Sequence, residues 1–220
     1  MDPTIAHKVS RSRIAREIAA TYVAGEDVES AIDKAADQVL KGLDVSLHPL
    51  DPDPVDLAQA RRAMTRLCGV IERLGANPVF DGHAEVSISL AALGLRVNDD
   101  LARGQAREVC QIARDNHVAV TVDDGGPDVH DRSHRMVMDL LADYEDTGIV
   151  IQAARHDSLM QVRELAAPGR RIRLCKGSYI GPRSVTLIRP HDVDLRFAAC
   201  MRDRMAGPSS VMRLSLMPSS

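Results

Sequence analysis

The sequence predicts an α/β fold built on a parallel sheet, and three observations predict it. Short apolar runs recur near 43–47, 86–90, 118–122, 148–152 and 171–175. Longer segments with apolar residues three and four positions apart separate them. Strand and helix patterns that alternate in this way imply βαβ units. Finally, aromatic residues make up only 2% of the 220-residue chain, with no Trp, so an aliphatic core of Leu, Ile, Val, Ala and Met must stabilise it.

In chain order, residues 10–24 read as a helix closed by Gly25. A second helix begins near Asp27, carries Val28, Ile32, Ala35 and Val39, and ends at Gly42. The run 43–47 is the first strand, followed by a His-Pro-Leu turn and an Asp-Pro-Asp-Pro linker. Leu57, Ala60, Met64, Leu67, Ile71 and Leu74 mark the next helix. Further helices are expected at about 100–115, 132–144, 157–167 and 192–205, the last capped by Asp192. The stretch 207–220 is rich in Ser, Met and Pro and shows neither period, so it reads as an irregular tail. The organisation is therefore a helical segment at 1–42, a partial barrel-type domain at 43–206 and the tail.

A (β/α)8 barrel needs eight such units and about 250 residues. A doubly wound sheet is the other architecture for the same pattern, although no GxGxxG follows any strand. Lys and Arg number 28 against 31 Asp and Glu, which argues against a nucleic-acid surface. No apolar run reaches the roughly 20 residues of a bilayer span, and no signal peptide is evident at the start. Cys68, Cys110, Cys175 and Cys200 form no metal-type pair and read as reduced thiols in a cytoplasmic protein.

Barrel chemistry sits at the C-terminal ends of the strands. There the sequence offers Asp123 and Asp124 before two glycines, Gln152, and the run Arg173 to Tyr179 with Lys176, Gly177 and Ser178. Arg173 and Lys176 together would suit an anionic ligand, either a phosphate or a reduced flavin. The plainer alternatives are ion pairs at a sheet edge for the cations, an Asx turn for the acids and a satisfied strand-end amide for Gln152. His130 and His134 share a helix face but have no third ligand in view, and read as a solvated helix start with no metal.

The order and spacing of VSISLAALGLRVNDD, VAVTVDDG, GIVIQA and RIRLCKGSYIGP resemble those of the monofunctional bacterial proline dehydrogenases. The upstream stretch YVAGEDVESAIDKAADQVLKGLDVSLHPL resembles that family's N-terminal helices and first barrel strand, so the likeness covers roughly 14–205. The resemblance implies a distorted (β/α)8 barrel, here incomplete with about five strands. It also implies FAD as cofactor, L-proline as substrate, 1-pyrroline-5-carboxylate as product and a quinone-type electron acceptor. Asp123 then matches the acid of the family's Asp-Met-Glu segment, and Arg173 the arginine near flavin N5. Gln152 matches the glutamine at the flavin ring. Asp124, Lys176, Gly177, Ser178 and Tyr179 fall along the cofactor.

The departures bear on activity. Ser89 stands where the family has a substrate-binding lysine, Asp123-Asp124-Gly replaces Asp-Met-Glu, and Ala153–Asp157 replaces an aromatic, a leucine and arginines. The family's last three strands and final helix, with two carboxylate-binding arginines, have no counterpart. The expectation is a truncated member whose turnover falls far below that of a complete relative, and whose open sheet edges favour self-association. A non-catalytic remnant or interaction module and an unrelated phosphate-binding barrel are the rival readings. The expected location is the cytoplasm, with contact at the inner face of the membrane allowed by quinone use.

Overall fold

A computed structural model of the 220-residue chain describes residues 27–50, 52–165, 169–177, 182–205 and 211–214. The expected helix at 10–24 lies outside the described residues. The first described helix, α1 (Val28–Val39), starts where Asp27 accepts a hydrogen bond from the Ser30 amide. The same device opens α2 (Leu57–Ala76), where Asp56 caps the Gln59 amide, and α3 (Asp99–Asp115), where Asn98 caps that of Leu101. Each cap satisfies one of the amide groups that a helix start leaves without an intrahelical partner.

The remaining elements alternate as expected. β1 is Val45–Leu47, β2 Ala84–Ser89, β3 Ala119–Asp123, β4 Gly148–Gln152 and β5 Arg171–Cys175. Between and after them come α4 (His130–Asp143), α5 (Ser158–Glu164) and α6 (Pro190–Met205). Helix α6 begins two residues earlier than expected, so Asp192 lies inside its first turn, where a carboxylate favours the helix dipole, and is not the cap.

Val211–Leu214 forms a sixth strand, β6, which pairs in parallel with β5. This corrects the reading of 207–220 as wholly irregular. Four residues are too few to show a period, and the free hydrogen-bonding edge of β5 is a tertiary feature.

All neighbours are parallel and the sheet order is β1-β2-β3-β4-β5-β6. A doubly wound sheet reverses its strand order, so this sequential order excludes that alternative. The sheet is also strongly curled. A flat sheet would separate β1 from β5 by four spacings, roughly 19 Å. Yet Arg173 on β5 donates to Ser46 Oγ on β1 at 2.7 Å. The architecture is an incomplete (β/α)8-type barrel.

The curl sorts the side chains. Val86, Ile88, Val120, Val122, Ile149, Ile151, Ile172 and Leu174 alternate onto one face and are buried in a common core with Ile71 and Leu74 of α2, Val109 of α3 and Leu140 of α4. Ser46, Glu85, Ser87, Thr121, Asp123, Arg171 and Arg173 occupy the alternate positions and bond to one another across the inner face. Cys68, Cys110 and Cys200 are buried free thiols, and Cys175 is a free thiol only half-buried at the end of β5. Among the described residues, no helix is long and apolar enough to cross a membrane.

Candidate functional site

Glu85 anchors the inner face. Only 1% of its side chain is exposed, and it holds two cations from β5: Arg171 Nη2 at 3.2 Å from Oε2, and Arg173 through Oε1. Ser46 donates to the same Oε1 at 2.8 Å. Arg173 then reaches toward the C-terminal rim, where Nη1 donates to Ser87 Oγ at 2.9 Å and lies 3.4 Å from Asp123 Oδ1. Ser87 passes its own hydrogen to Asp123 Oδ2 at 2.6 Å. Four acceptors on three strands thus fix the plane of one guanidinium.

His48, just beyond β1, completes this cluster. Its Nδ1 lies 3.1 Å from the Ser87 carbonyl oxygen and 3.2 Å from Asp123 Oδ2. The hydrogen bond to Asp123 raises the pKa of His48, against opposition from burial and from the nearby Arg173. Burial pushes the Asp123 carboxyl upward, but hydrogen bonds from His48 and Ser87 and the charges of His48 and Arg173 outweigh it. The net result lies below the usual carboxylate value.

A second cluster sits beside the first. Asp124 Oδ2 accepts from His130 Nδ1 and from Gln152 Nε2, both at 2.9 Å, and Oδ1 accepts from the Gly126 amide at 3.2 Å. His130 is buried, not solvated as expected, because it starts α4 directly against the sheet. The Gln161 amide nitrogen meets His130 Nε2 at 3.0 Å and donates to Asp157 Oδ2 at 3.2 Å. The adjoining cavity between α4, β3 and β4 is about 20 Å³, room for roughly one water. Among the described residues, no group of three or more His, Cys, Asp or Glu side chains is placed to hold a metal.

The structure therefore joins Asp123 to Arg173, and Asp124 to Gln152. Ser89 is half-buried and aligned with Asp123 in the β2–β3 register. Gly177 has φ +104°, and a Cβ there would stand 2.7 Å from Gln152 Oε1, so only glycine lets the chain pass over that amide. Lys176 pairs with α6, its Nζ 2.7 Å from Asp194 Oδ1. Ser178 and Tyr179 lie outside the described residues.

Sequence reading missed His48, Ser46, Glu85, Ser87 and Arg171. Glu85, Ser87 and Ser89 were legible as a period-two polar series in AEVSIS, and Arg171 with Arg173 as another in RIR. Starting the second strand at Val86 cut Glu85 out of the series.

A curled parallel sheet with helices outside and charged side chains gathered at the strands' C-terminal rim defines a barrel of the kind that carries its chemistry on that face. No known protein-family pattern matches the chain. Proline dehydrogenase 1 of Bacillus subtilis is 23% identical over 181 residues, 82% of this chain and 59% of that protein. Proline dehydrogenase 2 of the same organism is 24% identical over 199 residues, 90% of this chain and 65% of that protein. The chain thus spans about three fifths of the length of the curated relatives it matches.

Among solved structures, proline utilization A (PutA) from Bdellovibrio bacteriovorus, inactivated by N-propargylglycine, superposes with TM-score 0.75 at 17% identity. The match covers 88% of this chain and 25% of that one. A mutant of Bradyrhizobium japonicum PutA superposes with TM-score 0.71 at 21% identity, covering 86% and 23%. The resemblance to the proline dehydrogenase family therefore extends over most of the described chain, in sequence and in fold.

Proposed function

We propose that this chain carries the flavin-facing part of a proline dehydrogenase site and serves the FAD-dependent oxidation of L-proline to 1-pyrroline-5-carboxylate, with a quinone-type acceptor for the electrons. The supporting observation is the Asp123–Arg173 pair with Gln152 beside it, at the C-terminal rim of neighbouring strands and in the order of the family's motifs.

The residues present suit the cofactor in kind. A guanidinium fixed by acceptors on three strands and an amide fixed by Asp124 are preorganised groups, which cost no reorganisation when charge develops beside them. Arg173 and Gln152 would contact the flavin ring, and Gly177 the adjoining backbone path, with Lys176, Ser178 and Tyr179 of the same motif alongside. Bound FAD supplies the two-electron acceptor. Arg173 would stabilise negative charge on the ring, with Asp123 and Ser87 holding Arg173 in place and Asp124 aiming the amide of Gln152.

Ser89 offers no cation where the family has a lysine, so turnover is expected below that of a full-length relative. Flavin retention is the direct test. The purified chain is incubated with FAD, desalted and scanned in the visible. Retained flavin, lost in Arg173→Met, is the expected result. A colourless parent chain at micromolar protein and saturating FAD would refute the proposal.

A further inference from the structure

The charges at the rim make His48 stand out, because its chemistry is only half used. Both groups at Nδ1, the Ser87 carbonyl and the Asp123 carboxylate, are acceptors. Nδ1 therefore keeps its hydrogen in either charge state, and the proton gained or lost is the one on Nε2. Among the described residues, no hydrogen-bond partner of Nε2 is found, and 37% of the side chain is exposed. The groups facing the ring are the Ser87 carbonyl of β2, Asp123 of β3 and Arg173 of β5.

The charge balance points the same way. Across Glu85, Asp123, Arg171 and Arg173 the inner face carries two carboxylates and two guanidiniums, joined to one another. A protonated His48 adds one positive charge that this network does not cancel. That surplus lies in contact with Asp123, whose register partner on β2 is Ser89, the position that the resemblance gives to a carboxylate-binding lysine.

We propose that His48 Nε2 is the cationic donor that receives the carboxylate of the substrate-class amino acid, in place of the missing lysine. The inference rests on the proposed proline-oxidising function and names a specificity residue within it. Asp123 and Ser87 aim the ring, and Nε2–H donates to the carboxylate in a charge-assisted hydrogen bond. Binding is strongest while His48 is protonated and weakens as pH rises through its raised pKa.

Titration of the full chain with L-proline in the presence of FAD, followed by calorimetry and by the 15N shift of His48 Nε2, tests this. The expected result is a shift of Nε2 on adding L-proline but not L-prolinamide, which lacks the charge. His48→Ala should raise the Kd roughly ten- to hundredfold. Ser89→Lys placed on His48→Ala should recover most of that loss. Equal L-proline affinity in parent and His48→Ala, or equal binding of prolinamide, overturns the role of His48 and leaves the proposed function standing. Absence of L-proline binding by the parent overturns both.

Discussion

Glu85→Gln tests the central structural claim, that one buried carboxylate holds the inner face together. The substitution keeps size and removes the charge that faces Arg171 and Arg173. Removing one partner of a buried ion pair costs about 3–5 kcal/mol, because the other charge stays behind uncompensated. Here the cations keep some support. Arg171 still donates to the Val120 carbonyl at 2.7 Å and Thr121 Oγ1 at 3.2 Å, and Arg173 still reaches Ser87 and Asp123. Both arginine side chains are also 17% exposed, so water relieves part of the penalty. A loss of about 2–4 kcal/mol is expected. For a chain of this size that corresponds to a fall of roughly 5–15 °C in Tm. Urea unfolding followed by circular dichroism at several protein concentrations measures it. In a double-mutant cycle with Arg171→Gln, the combined loss should be smaller than the sum of the single losses. A Glu85→Gln protein within about 0.5 kcal/mol of the parent, no more than an ordinary surface change, would refute the argument.

Two further outcomes follow from the rim. Gly177→Ala should cost about 1–3 kcal/mol, from φ +104° and from the collision with Gln152 Oε1. Gly169→Ala, also at positive φ but with nothing among the described residues within 4 Å, should cost less, and equal losses in urea unfolding would remove the contact from the explanation. The pH dependence has two edges. The depressed Asp123 pKa gives stability that is present above the ordinary carboxyl value of 3.8 and lost as pH falls through the lowered one. The raised His48 pKa gives stability fully present below 6.5 and lost as pH rises through the raised value. The stability gap between the parent and His48→Asn should therefore be widest near about pH 5 and narrow toward about pH 8. A gap that widens with pH would contradict the His48–Asp123 pairing.

Much of the fold was legible because its signals are local. Leu57 to Leu74 recur at helical spacing and the strand 148–152 is a bare apolar run, and both formed as read. Asp123, Gln152 and Arg173 could be singled out because a barrel places strand ends on one face. His48 could not be, since a lone histidine after a three-residue strand carries no period, and only the curl of the sheet brings it to Asp123.

By itself, then, the sequence determined the alternation of strands and helices, the aliphatic core and the polar positions at the strand ends. The tertiary structure decided how those polar groups were paired. Lys176 went to Asp194 on the helix that follows β5, and Arg173 to Ser46, 127 positions away. It also decided that Val211–Leu214 would join as a strand, since the open edge of β5 was there to receive it. The physical reason is range. Helical and strand periods are set by neighbours a few residues apart, whereas an ion pair depends on strand order and curvature, which only packing of the whole sheet against its helices can fix.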